Sequence, residues 1–378
     1  MVLSEKIRDK GFDAGQPLYV QIKARIRQVI RERRLRPGHR LPPVRELGDL
    51  IGASRATAAR AITRMIREGY FVSRPREGIY VNEAGSAKNG TVLRTVYGLV
   101  AASTVQQRPE DYLAFNPFWS QIFAGIRRGM PETEDPIRLR FSFIKDFLQE
   151  KEVTPRGRSW DDVGFLILGD PRPGQMPQLN QLGSPIVQIH GVNSSKKISS
   201  VRVDSAAGSE MLVDHLVSLG HQQIGFCGAL NPTSFIDYEK FKGFRRAMKR
   251  HGLAGDDDRY CQSCGPTLQD GYRSVQPLLK LADRPTAVLF LNDEAALGAM
   301  RAINDAGLSV PRDLAVAGFD NLPTGGYVIP SLTTVSTRMM DLGRRGIRQL
   351  FDLVETGEQA DEVLTPELVV RESTGKKL

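Results

Sequence analysis

From residue 96 onward, short apolar runs alternate with longer stretches of helical period, and nothing else in the chain limits its fold so strongly. The apolar runs fall at 96–101, 163–168, 186–189, 224–227, 287–290 and 314–319. The amphipathic stretches fall at 116–128, 206–219, 238–251, 268–279, 293–306 and 340–354. This alternation predicts parallel strands with helices on both faces of the sheet. Residues 95–378 are many for a single core, which stops growing at roughly 250–300 residues, so two α/β lobes are expected. Ligands of such sheets bind beyond the carboxyl ends of the strands, and a cleft between lobes suits a small polar molecule.

The first quarter of the chain differs in charge. Residues 1–90 hold 19 Lys and Arg against 9 Asp and Glu, whereas the rest is nearly neutral and the whole carries +9. A small basic unit joined to a larger neutral one points to nucleic acid as the partner of the first. On charge alone, a solvated basic surface is an equal alternative. Residues 83–91, EAGSAKNGT, follow neither strand nor helix period and read as a flexible linker. The expected domains are therefore 1–83, a linker at 84–94, and 95–378.

Before the linker, Leu18, Ile22, Ile26, Val29 and Ile30 recur at helical spacing, which predicts a helix over 17–33 ended by Pro37-Gly38. A short second helix follows Pro42-Pro43, with Pro43 suited to its first turn. Gly52-Ala53 makes a turn, and Ser54 can cap a third helix reaching about residue 68. Residues 70–72 and 79–81 are β-prone runs around a Gly-containing turn. In that order these elements form a winged helix-turn-helix. On the third helix Ala58, Ala61, Ile62, Met65 and Ile66 face one way, and Thr57, Arg60, Arg64 and Arg67 the other. An α-helix fits the major groove and makes base contacts from its first turns, which selects Ser54, Arg55, Thr57 and Arg60. An ordinary amphipathic helix with a solvated basic face is the alternative.

The run from PLYVQIKARIRQ through LRPGHRLPPVREL and SRATAARAITRMIREGY to GIYV resembles the winged-helix domain of the gluconate-repressor (GntR) family over about 16–83. The resemblance implies DNA contact by Arg45 of the REL helix, by the Ser54-Arg55-x-Thr57 start of the recognition helix, and by the wing tip with Arg74, Arg76 and Gly78. Two positions depart from the family. Ala59 stands where an Arg is frequent, and Arg76 where a Gly is frequent, so the family's base preference does not transfer there.

The strings VRVDSAAGSEMLVDHLVSLGHQQIGFCG, PTAVLFLNDEAALGAMRAINDAGLSVPRDLAVAGFDN and PSLTTVSTRMMDLGRRGIRQLFDLVETG resemble the effector domain of the lactose-repressor family, which shares its fold with periplasmic sugar-binding proteins. The likeness covers about 94–375. It implies a fold of an N-terminal winged helix-turn-helix plus a two-lobed, periplasmic-binding-protein-like α/β domain. It also implies an effector, often a sugar, that changes DNA affinity, and a dimer interface on the larger domain. By position in those motifs, Asp293 is expected to accept hydrogen bonds from effector hydroxyls, with a helix cap as its alternative role. Lys240 stands where the family usually has an Arg; an ammonium lacks the planar fork of a guanidinium. Phe118 and Trp119 match aromatics at the start of the first helix and can stack on a sugar or pack a core. His190 ends a strand where relatives often have Asp, and Asp320 lies at the cleft edge.

The remaining motifs are weak. Cys261 and Cys264 have C-x-x-C spacing without a second pair or a near His, so they read as two thiols rather than a metal or redox site. No P-loop, G-x-S-x-G or HExxH is present. Three cysteines make no disulfide framework, no run reaches ~18 apolar residues, and the first residues lack a secretory apolar core. The expectation is a cytoplasmic, ligand-responsive transcription regulator, a repressor and homodimer. It would bind a palindromic operator in double-stranded DNA and a carbohydrate effector, without cofactor, metal, membrane or catalytic residues. The alternatives are a solute-binding protein and an α/β-cleft enzyme with an accessory basic domain.

Overall fold

The computed structural model describes residues 38–67, 70–75, 77–82, 93–101, 108–131, 136–149, 163–191, 198–231, 235–253 and 260–375, together with 22, 25, 26, 29, 30, 33, 35 and 36. The expected linker falls largely on 83–92, outside the described residues. The chain forms two units: Met1–Leu93 with Val354–Gly357, and Arg94–Leu353 with Glu358–Leu378.

In the first unit, residues 22, 25, 26, 29 and 30 are helical. Helix α1 (Val44–Ile51) follows Pro43 and stops at Gly52, whose φ of 70° is the left-handed conformation that glycine adopts without strain. Helix α2 (Arg55–Arg67) and strands β1 (Phe71–Arg74) and β2 (Gly78–Val81) follow, the strands pairing antiparallel. Pro43 therefore precedes the helix instead of sitting in its first turn. One apolar cluster holds the unit together. Ile22 and Ile26 meet Leu47, Ile51, Ala58, Ile62, Met65 and Phe71 in it.

The second unit is two-lobed α/β. The first lobe begins with β3 (Thr95–Val100), α3 (Pro109–Phe115), α4 (Pro117–Gly129), β4 (Arg138–Phe143), α5 (Ile144–Gln149), β5 (Val163–Leu168), α6 (Gln175–Asn180), β6 (Ile186–Ile189) and β7 (Ser199–Val203). The chain then builds the second lobe from α7 (Ser205–Ser218), β8 (Ile224–Gly228), α8 (Phe235–Arg250), β9 (Cys261–Ser263), α9 (Leu268–Leu279), β10 (Ala287–Phe290), α10 (Asp293–Asp305), β11 (Ala315–Ala317) and β12 (Thr334–Ser336). It returns through α11 (Met339–Thr356), β13 (Asp361–Leu364) and β14 (Glu367–Val369). The first sheet runs β13-β7-β6-β5-β3-β4 and the second β11-β10-β8-β9. Every neighbouring pair in both is parallel. β12 and β14 pair antiparallel as a separate ribbon.

The inner strands are covered on both faces, and β5 is buried along its whole length, as a parallel strand between helix layers must be. In the second lobe α9 and α10 touch backbone to backbone. A Cβ on Gly298 would collide with the Leu268 carbonyl, and one on Gly271 with that of Ala295. This close approach holds the N-terminus of α10 against the strand ends, where the candidate site lies.

Candidate functional site

On the first unit, Ala58, Ala61, Ile62 and Met65 are buried and turn the opposite side of α2 outward. Arg45, Ser54, Arg55 and Arg60 are exposed there, and Thr57 is half-buried. The Ser54 hydroxyl accepts from the Thr57 N–H at 3.2 Å and lies 2.7 Å from the Thr57 hydroxyl. It caps α2 and fixes the side chains that begin the recognition helix. Arg74 lies over the Tyr80 ring at 4.5 Å. Gly78 holds φ 124° at the end of the turn. Arg76 and the side chains of Arg64 and Arg67 lie outside the described residues.

On the second unit, the carboxyl ends of β3, β5, β6, β10 and β11 converge on a cavity of about 360 Å³ between the lobes. Phe118, Trp119, His190, Lys240 and Asp320 line it. Asn116 caps α4 by accepting from the N–H groups of Phe118 and Trp119 at 3.1 and 3.0 Å, with Pro117 following. That cap sets both aromatic rings against His190, with centroids 4.7 Å (Phe118) and 6.2 Å (Trp119) away. His190 has φ 55° directly after β6, a conformation that costs a non-glycine residue energy. Its Nδ1 is buried and has no hydrogen-bond partner among the described residues. Burial first, and the ammonium of Lys240 second, pull its pKa down to about 3, so the ring is neutral near pH 7.

The opposite wall is charged. Lys240 is buried on α8 and donates to the Leu291 carbonyl at 2.8 Å and to Asp237 at 3.1 Å. Its Nζ also stands 4.6 Å from the centre of the Phe319 ring. Burial acts to lower its pKa, but Asp237, Asp320 and Asp293 outweigh it and raise the value. Asp320 has φ 111°, and its Oδ1 is buried without a partner among the described residues. Burial pushes its carboxyl well above the ordinary range, against the pull of Lys240. Across the cleft, Asp170 Oδ2 accepts from the Ile236 N–H at 3.1 Å and ties one lobe to the other.

Asp293 departs from its expected place. It is fully buried behind the wall and is not among the lining residues. One oxygen accepts from the Leu322 N–H at 2.6 Å and the other from the Thr334 hydroxyl at 2.6 Å. Burial raises its pKa to about 7. Nor does it cap α10. That role belongs to Asn292, which accepts from the Ala295 N–H at 2.8 Å. The first residue of α10 points back into the second lobe, whereas Asn292 and Glu294 face the cavity.

The sequence reading missed Tyr112, Asn116, Asp170, Arg172, Asp237, Asn292 and Glu294 on the lining. Asp170 carried a usable signal, because it stands two residues beyond the end of an apolar strand, where ligands of parallel sheets bind. Cys227, Cys261 and Cys264 are buried free thiols. Among the described residues no group of three or more His, Cys, Asp or Glu is placed to hold a metal. No described helix is long and apolar enough to cross a membrane.

Comparison with known proteins gives both units relatives. Residues 18–81 match the model of bacterial regulatory proteins of the gntR family, and residues 213–374 that of the periplasmic binding protein-like domain. The arabinose metabolism transcriptional repressor of Geobacillus stearothermophilus is 25% identical over 95% of this chain and 98% of its own length. Catabolite control protein A of Priestia megaterium is 30% identical over 68% of this chain and 80% of its own. A LacI family regulator from Enterococcus faecium, solved with bound ribose, superposes with a TM-score of 0.63 at 27% identity, over 75% of this chain and 99% of that one. These relatives are transcription regulators, not enzymes. The chain thus belongs to the LacI-type transcription regulators, with a GntR-family winged helix in front of its effector domain, and acts as a DNA-binding regulator.

Proposed function

We propose that the cavity between the lobes takes a sugar or sugar derivative, and that this effector changes the affinity of a homodimeric repressor for a palindromic operator in cytoplasmic DNA. The observation that carries this reading is the pair of buried atoms, His190 Nδ1 and Asp320 Oδ1, without partners among the described residues on walls of one cavity. An unpaired buried polar atom costs about 1–3 kcal/mol. A polyhydroxylated ligand offsets that cost, because each hydroxyl donates to a carboxylate or pairs with either tautomer of a neutral imidazole. Phe118 and Trp119 supply the flat apolar face that a sugar ring stacks on. Two of the relatives, an arabinose metabolism repressor and a regulator solved with bound ribose, agree in chemical class.

On the DNA side, Arg45, Ser54, Arg55, Thr57, Arg60 and the wing residues Arg74, Arg76 and Gly78 would meet the operator. One winged helix makes few phosphate contacts, so two copies on matched half-sites are needed for tight binding. The effector domain offers a face for that pairing. Tyr327 is 88% exposed and Ile329 96% exposed, and Ile329 borders a groove formed by Leu297, Met300, Val310, Val328 and Pro330. Exposed apolar side chains beside an apolar groove suit a self-complementary contact.

The reading is tested on Trp119 emission and operator release with L-arabinose and D-ribose as probes. The expected coupling between effector and operator is ~1–3 kcal/mol. Asp320→Ala should abolish the effector response and leave DNA binding intact. A variant that still responds at the same probe concentration would place the effector elsewhere.

A further inference from the structure

The segment before α1 bridges to the wing, a contact that the hairpin motif does not announce. The Gly38 N–H donates to the Val81 carbonyl at 2.8 Å, the Val81 N–H to that of His39 at 2.9 Å, and the Leu41 N–H to that of Ile79 at 2.8 Å. Arg40 therefore stands opposite Tyr80 as an antiparallel bridge partner. On the other side of β2, Tyr80 pairs with Val72 and Gly78 with Arg74. Side chains alternate across a strand. Leu41, Phe71, Ile79 and Val81 turn inward to the core of the unit. Arg40, Val72, Arg74 and Tyr80 consequently share the outer face.

Two guanidinium groups share that face, one over the Tyr80 ring and one beside Gly78. Arg74 lies over Tyr80 at 4.5 Å. Arg40 runs along the tip beside Gly78: a Cβ on that glycine would sit 2.7 Å from Arg40 Nε. Arg40 is exposed and makes no ion pair among the described residues. Arg74 has Glu77 at 3.9 Å, with both side chains largely in water. The wing thus holds a cation without a counter-ion among the described residues, on backbone fixed to β2 by the hydrogen bonds of Gly38, His39 and Leu41. A planar guanidinium held this way matches phosphate geometry.

We propose that Arg40 is a DNA-binding residue outside the recognition helix, and that with Arg74 it makes the outer face of the wing a clamp for backbone phosphates. Contacts of this kind orient a protein on the duplex without reading sequence. The clamp therefore works on any duplex, and its test needs no operator.

The full-length protein is titrated onto a random-sequence duplex about 40 base pairs long, between about 50 and about 200 mM salt. Arg40→Ala should make the slope of log affinity against log salt shallower by about 0.9 for each wing seated on the duplex, and the Arg40→Ala/Arg74→Ala pair by about twice that. Arg40→Lys should keep the wild-type slope, because an ammonium also neutralises a phosphate. Arg273→Ala, an exposed arginine of the effector domain, should change nothing. A wild-type slope in Arg40→Ala overturns the proposal. So does a lowered melting temperature with an unchanged slope, which would make Arg40 only a cover for Gly78. If Arg40→Ala melts early, Arg40→Gln keeps the side-chain stem and is read by the same slope.

Discussion

On the recognition helix Arg55 and Arg60 stand in water, whereas in the cavity His190 and Asp320 hold polar atoms away from water with no partner among the described residues. An exposed guanidinium costs the fold almost nothing, so Arg55 and Arg60 are free of the fold's stability in a way that the capping Ser54 is not. The cavity is not free of it either. Its orphan atoms lower stability in the absence of a ligand, and that deficit is what a ligand can relieve. Asp293 is a third case: a carboxylate as buried as Asp320, yet with both oxygens satisfied inside the second lobe. Burial alone does not leave a polar group open to a ligand; burial without a partner, on a cavity wall, does.

The largest expected effect separates Asp293 from the wall residues. Asp293→Ala leaves the Leu322 N–H and the Thr334 hydroxyl unpaired, and should cost about 3 kcal/mol in denaturant unfolding. A loss below about 1 kcal/mol would mean that the carboxylate is not the structural brace described.

The next effect depends on pH. The unfolded His190 ring takes up a proton below its ordinary value of 6.5, but the folded ring does so only near 3. The unfolded state therefore binds more protons in that window. Stability from this group is complete above 6.5 and falls as pH drops through the window, by about 2 kcal/mol at pH 5. Asp293, raised to about 7, acts in the opposite sense, since its folded form keeps a proton that the unfolded form releases. Comparing wild type with His190→Phe isolates the histidine. The variant should lack its share of the acid loss and be at least as stable at neutral pH. Parallel curves for the two proteins would show that His190 is not buried as described.

On the DNA side, Arg55→Ala should weaken operator binding by about 1–3 kcal/mol while unfolding shifts by less than about 0.5 kcal/mol. A matching loss of stability would erase the contrast between the two regions. The smallest effect is that of the cap. Ser54→Ala should cost about 1 kcal/mol of stability in the first unit, and restoring it as Ser54→Asp should recover most of that.

Much of the fold was legible because periodicity records burial. The strands at 163–168, 186–189 and 287–290 and the helix at 268–279 fall where their apolar pattern places them. The strands that escaped are those whose pattern is mixed. β4 lies at a sheet edge and alternates Arg138, Leu139, Arg140 and Phe141, so it lacks a continuous apolar run. β7 opens with two buried serines, Ser199 and Ser200. β13, the other edge, begins Asp361-Glu362. Edge strands keep one side in water and carry charge.

The cavity was legible as a place but not residue by residue. Phe118, Trp119, His190, Lys240 and Asp320 were expected on its wall and line it, while Asp293 was expected there and lies behind it. Both aspartates stand just past strand ends, and nothing in the local pattern tells them apart. What differs is tertiary. Helix α10 is clamped through Gly298 against the Leu268 carbonyl, and that contact fixes its rotation. Each residue along a helix turns by about 100°, so Glu294 reaches the cavity where Asp293 does not, while Asn292 reaches it from the extended cap position.

Charge and hydrophobic period are averages over many residues, so a basic winged helix ahead of a neutral two-lobed α/β domain can be read from the residues alone. The direction of any one carboxylate depends on the backbone packed against it, and packing is what makes Asp293 brace the second lobe while Asp320 faces the cavity.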